Sequence, residues 1–168
     1  MDNVIELTIL ALIESLSERH KFDPSDQNLI DTPRRVSESF KELLSGYGQE
    51  PEEILKTTFA TNDYDQMIVC KDIDFYSLCA HHMLPFFGKI AVGYIPSSYW
   101  EGNDHGDTKG KKVVGLSKLA RVCQIYARRF QIQERLTQQI ADAVWTHLKP
   151  IGVGVIVYDV KHLCMIIS

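Results

Sequence analysis

The chain has no excess of positive charge: 18 lysines and arginines stand against 22 acidic residues, for a formal net charge of -4. A general nucleic-acid binder carries the opposite balance, so no nucleic-acid partner is expected. There is no run of 18 or more apolar residues, so no membrane-spanning helix is expected. The first apolar stretch carries Glu6 and follows no basic leader, which makes a cytoplasmic location the default expectation. Cysteine is sparse and irregularly spaced, at 70, 79, 123 and 164. A chain of 168 residues can bury a core without staples, so free thiols or metal ligands are expected in place of a disulfide frame. Internal repeats and low-complexity segments are absent too.

What is present is an ordinary globular balance, 45% apolar and 24% charged. Ile5, Ile9, Leu12 and Leu16 recur at helical spacing and predict an amphipathic helix. A second helix is predicted in "DTPRRVSESFKELLSGYG", with Asp31 or Thr32 as cap and Pro33 in its first turn. Val36, Phe40, Leu43 and Leu44 form its apolar stripe, and Gly46 supplies a stop. "MIVCKDIDFYSLC" and "GKIAVGYIP" then alternate with the period of strands. Residues 97–112 read as an exposed loop. Two further helices place Leu116, Leu119, Cys123 and Tyr126, then Leu136, Ile140, Val144 and Leu148, on single faces. "GVGVIVYDVKHLCMIIS" reads as a strand running to the last residue. This order predicts an α+β domain, an antiparallel sheet with helices on one face, preceded by N-terminal helices.

One short stretch concentrates chemistry. "SLCAHHMLPF" puts Cys79, His81 and His82 into a turn between two strands. Cys79 and His82, with two residues between them, can reach one ion, and zinc takes three or four such ligands. "HLC" offers a second cysteine–histidine pair, and on a strand His162 and Cys164 would face one side. Cys70 and Cys123 read as small apolar core residues. "GLSKLAR" opens a helix with Ser117 and Lys118, and Arg121 follows one turn later. That is either a phosphate site at a helix N-terminus or an ordinary solvated face. Gln133 and Glu134 are either first-turn capping residues or partners for a purine edge. Arg128 and Arg129 form a local basic pair that suits an anionic ligand.

The motifs "DTPRRV", "KDIDFYSLCAHHMLPFFGKIAVGYIP", "VVGLSKLARVCQIYARRFQIQERLTQQIADA" and "GVGVIVYDVKHLCM", in this order, resemble GTP cyclohydrolase I. The resemblance runs from "DTPRRV" to the C-terminus. It implies the tunnelling fold (T-fold) and a homo-oligomeric ring, commonly of ten subunits, with sites between subunits. It implies Zn2+ held by Cys79, His82 and Cys164, with His81 and His162 as acid–base residues. Ser117, Lys118, Arg121 and Arg35 would hold the triphosphate of GTP, and Gln133 and Glu134 its nucleoside. The implied reaction opens guanine at C8, releases formate and yields 7,8-dihydroneopterin triphosphate. The expected division is an N-terminal helical region, 1–50, and a zinc-binding catalytic domain, 51–168.

Two departures from the family pattern stand out. Ala80 occupies a position where the family has glutamate, and the chain stops after "MIIS" where the family continues, so the catalytic domain reads as C-terminally shortened. These departures keep a second reading open, a paralogue or truncated isoform that binds nucleotide or regulates a full-length enzyme.

Overall fold

A computed structural model of the chain describes residues 2–61, 66–97 and 111–166. The helical spacing at the start yields α1 (Asp2–His20) and α2 (Thr32–Leu43), which pack on each other within a unit covering Met1–Ser45. Pro33 lies in the first turn of α2, as its fixed φ favours. Asp31 precedes that helix without a side-chain cap bond, and its carboxylate meets Arg35 at 3.3 Å and Arg34 at 3.9 Å. The expected stripe of Val36, Phe40, Leu43 and Leu44 is half-buried, and Ser37 is the buried residue of the helix. Ile5, Leu12 and Leu16 of α1 remain exposed.

The second unit, Gly46–Ser168, holds α3 (Pro51–Leu55), β1 (Thr58–Thr61), β2 (Ile68–Cys79), β3 (Pro85–Ile95), β4 (Lys111–Val114), α4 (Leu116–Ala127), β5 (Phe130–Gln131), α5 (Gln133–Leu148) and β6 (Gly152–His162). The main sheet has the order β5-β2-β3-β6, antiparallel except for the short β2–β5 pair, and β1 with β4 makes a separate ribbon. Helices α4 and α5 pack against β2 and β6. The architecture is thus α+β, as the element order predicts. Residues 98–110, most of the expected exposed loop, lie outside the described residues.

The core forms where the helix stripes meet the inner side of the sheet. Leu119, Val122 and Cys123 of α4 and Leu136, Ile140 and Val144 of α5 are fully buried against Phe75, Phe86, Ile90 and Val92. Deleting any of the larger aliphatic chains there would cost about 2–5 kcal/mol. Leu116, expected on the same face, is 51% exposed because it stands at the start of α4.

Two bulges decide which residues reach that inner side. On β2, Cys70 pairs with Val92 but Ile73 with Ile90, so one extra residue is inserted, and Asp72 takes φ 59°. On β6, Tyr158 pairs with Lys89 but Lys161 with Phe87, and Asp159 takes φ 50°. Since strand side chains alternate, each inserted residue reverses the inward parity. Ile68 and Cys70 face the core before the first bulge, and Ile73, Phe75, Ser77 and Cys79 after it. Val153, Val155 and Val157 pack on the core before the second; Val160 does so after it, and His162 then stacks on the buried Phe86. The Tyr158 hydroxyl joins the bulges, donating to Asp72 Oδ1 at 2.9 Å and accepting the Asp72 N–H at 3.2 Å. Between them, a Cβ on Gly88 would lie 2.9 Å from the carbonyl oxygens of both Tyr158 and Asp159.

The last strand ends sooner than its composition suggests. β6 stops at His162, and Leu163–Ile166 form a 3-10 turn. Cys164 therefore does not share a strand face with His162. The turn carries it back instead, leaving its Sγ 3.9 Å from His162 Nδ1.

Candidate functional site

The site is built at the end of β2. Cys79 closes the strand, Ala80 to His82 turn, and the chain re-enters at Pro85. The Cys79 N–H donates to Leu84 O at 2.8 Å, and the Met83 N–H donates to Cys79 O at 2.8 Å. Met83 takes φ 57°, the left-handed step that lets so short a link reverse the chain. Ala80 N–H donates to Gln131 O at 2.9 Å, tying the turn to β5.

Within this frame Cys79, His82 and Cys164 come together, with one ligand atom from each lying within 4.8 Å of the others. Cys79 and Cys164 are buried and His82 is exposed. Burial opposes ionisation of Cys79, yet the amides of His81 and His82 and the Cys164 thiol outweigh it and hold the group below its ordinary value. Cys164 moves the other way, pushed up by desolvation and then by the neighbouring Cys79. Two thiols and an imidazole converging from two segments are a donor set that suits zinc, with room in the set for a further ligand.

A cavity of about 360 Å³ opens beside these ligands, lined among others by His81, Phe86, Gln131, Gln133, Glu134 and His162. The His162 ring stacks on Phe86, centroids 4.8 Å apart and planes 6° from parallel. Its Nε2 lies 2.9 Å from Gln133 Oε1. Gln133 and Glu134 form the first turn of α5, so the helix start faces the same space as the two histidines.

The remaining expected residues are described by the element that carries each. Ser117, Lys118 and Arg121 lie on the first turns of α4, with Ser117 and Arg121 exposed, and none lines the cavity. Arg35 belongs to the N-terminal unit, paired with Asp31. Arg129 of the basic pair is engaged in the fold. Its guanidinium lies over Tyr126 at 4.8 Å and Tyr47 at 5.7 Å and donates to Gly46 O and Gln49 O. Sequence reasoning passed over Phe86, which is 0% exposed, and Gln131, which is 1% exposed. Phe86 follows Pro85 inside the quoted turn stretch, and Gln131 stands two residues before Gln133, so proximity to the motifs was the available signal.

The family profile described as GTP cyclohydrolase I matches residues 8–168. A protein of Chlorobium phaeovibrioides named GTP cyclohydrolase 1 is 48% identical over 159 residues, covering 95% of this chain and 63% of its own length. One of Chlorobaculum tepidum with the same name is 46% identical, covering 94% and 62%. One of Methylococcus capsulatus, also so named, is 46% identical over 165 residues, covering 98% and 80%. The chain thus spans under two thirds of the length of the Chlorobium and Chlorobaculum relatives.

Proposed function

The chain belongs to the GTP cyclohydrolase I family, and on that premise we propose that it hydrolyses GTP at guanine C8, releasing formate and forming 7,8-dihydroneopterin triphosphate. The observation that carries this reading is the convergence of Cys79, His82 and Cys164 beside a cavity lined by two further histidines and by the start of α5. In this reading Cys79, His82 and Cys164 hold Zn2+. Zinc bound there supplies Lewis acidity and lowers the pKa of water toward neutrality.

The rest falls to the chain's own groups. Glu134 accepts the paired N–H donors of the guanine edge, which orients C8 toward the ligand cluster. His81 and His162 carry protons at their ring nitrogens, delivering one to guanine nitrogen as the five-membered ring opens and assisting formate release. Phe86 and Gln133 keep the His162 ring in place, one by stacking and one through Nε2. Ser117, Lys118, Arg121 and Arg35 bind the triphosphate. Ser117, Lys118 and Arg121 of the second unit do not line the cavity, which fits a site shared between subunits of a ring, so we place the complete site between copies of a homo-oligomer, commonly a decamer. The domain reading that accompanies this is a helical region over 1–50 and a catalytic domain over 51–168. Among the described residues no helix is long and apolar enough to cross a membrane. A cytoplasmic location goes with this reading.

The test is direct. Zinc-loaded protein incubated with GTP should release formate and give a product that becomes a fluorescent pterin on oxidation. Replacing His81 should stop turnover while zinc content stays unchanged. Ala80 favours one second reading, a relative that binds nucleotide or joins and regulates a full-length enzyme. GTP binding or co-assembly without formate would select it.

A further inference from the structure

Gln131 is a fully buried amide that the proposed reaction leaves without a task. It sits on β5, a strand of only two residues, Phe130–Gln131, which pairs in parallel with Leu78 and Cys79. So short a strand has little pairing of its own to hold it. Phe130 is held by its N–H, which donates to the Tyr47 hydroxyl at 3.2 Å, and by Arg135, which donates to its carbonyl; Gln131 is held by its side chain. Nε2 donates to Tyr126 O at 2.9 Å and to Gln139 Oε1 at 2.8 Å, and Oε1 accepts from Arg135 Nε at 2.9 Å. Both amide hydrogens and the oxygen are therefore used, linking the end of α4 to the first half of α5.

The main chain of the same residue points at the ligand turn. Gln131 O accepts the Ala80 N–H at 2.9 Å, in the middle of the segment between Cys79 and His82. Two residues further on, Gln133 opens α5 and meets His162 Nε2 at 2.9 Å. One residue thus joins the turn that carries two of the candidate ligands to the helix start that faces the cavity. We propose that Gln131 is the positioning residue of the metal site: its side chain fixes β5, and through Ala80 it fixes the geometry of Cys79 and His82.

This inference rests on the reading that Cys79, His82 and Cys164 hold a metal, and the experiment separates the two. Full-length protein is titrated with Co2+, whose visible absorption reports ligand type and geometry. Wild type, Gln131→Leu and Gln131→Glu are compared at a temperature where circular dichroism shows each folded. Leu removes all three side-chain bonds. Glu keeps the bond from Arg135 and loses both donated ones, so it tests the idea even if the leucine variant fails to fold. The expected result is a Co2+ Kd raised roughly tenfold or more, the scale of losing an outer partner of a ligand. The ligand-field bands should shift as well, with Leu more affected than Glu. A buried glutamine with only a structural role would lower thermal stability and leave Kd and spectrum as in wild type, which overturns the proposal. Wild-type protein that gives no thiolate-to-cobalt absorption overturns the metal reading itself, and this inference with it.

Discussion

Two cysteine pairs, each with one member on β2, meet opposite fates. At the end of the strand Cys79 meets Cys164, and the amides of His81 and His82 aim at the same thiol, so its ionised form is favoured despite burial. Near the start of the strand, Cys70 is close enough to Cys123 to add to the effect of burial, and Cys123 is pushed up to about 12. Sulfur is the same in both places, and Cys79, Cys164 and Cys123 are all buried. What differs is the supply of amides and imidazoles, which the β2–β3 turn provides and the α4–sheet interface does not. A thiol pair becomes ligand-like through the polar groups around it, and burial alone makes it an inert apolar filler.

The comparison breaks most visibly through ligand removal. Cys79→Ser, His82→Ala and Cys164→Ser should each abolish zinc content and turnover together, measured by elemental analysis and formate release. The effect should far exceed the roughly 10–100-fold cost of losing an outer partner. Cys123→Ala should leave zinc untouched and cost about 1 kcal/mol in a denaturant titration.

The next test uses pH on the inert pair. The Cys123 thiol stays protonated in the folded chain up to about 12, whereas in the unfolded chain it ionises from its ordinary value of 9.0. The unfolded state then binds fewer protons, so this group's stabilisation is complete below that ordinary value and is lost as pH rises toward the folded one. The loss should be about 1.4 kcal/mol per pH unit in that window. Stability measured against Cys123→Ala should show the wild-type advantage shrinking there. A constant difference would mean that Cys123 does not stay neutral.

Gly88→Ala probes the bulge that turns β6 toward the site. The added Cβ would press on backbone atoms of Tyr158, Asp159 and Val160 at 2.9–3.0 Å, none of which is a flexible side-chain end. A destabilisation of about 1–3 kcal/mol is expected in denaturant. Weaker zinc binding should accompany it, because His162 and Cys164 follow the bulge. The smallest effect is expected from Ala80→Glu. The Ala80 side chain is exposed, so stability should change by less than about 0.5 kcal/mol. Denaturant titration of the two proteins side by side measures that difference.

These residues also show how far the sequence alone could be read. Leu136, Ile140, Val144 and Leu148 repeat at helical spacing and are all buried, because a long stripe overdetermines its own face. The bulges were not legible. Asp72 and Asp159 are aspartates, which tolerate a left-handed backbone but usually do not adopt it, and only cross-strand register reveals them. β5 is two residues long and carries no period to detect. A shared strand face predicts Cys164 beside His162, and the two do come close, but through the 3-10 turn that follows β6. The clustering of cysteine and histidine in two segments was visible. The structure added what surrounds them: Phe86 under His162, Gln133 at its Nε2, and Gln131 behind the turn.

The most direct measurement is X-ray absorption at the zinc edge of the zinc-loaded protein. The ligand set predicts two sulfur scatterers at about 2.3 Å and nitrogen or oxygen scatterers at about 2.0–2.1 Å. The zinc signal should be absent in Cys164→Ser and unchanged in Cys123→Ala. A shell of four sulfurs, or one with none, would contradict the assignment of Cys79, His82 and Cys164.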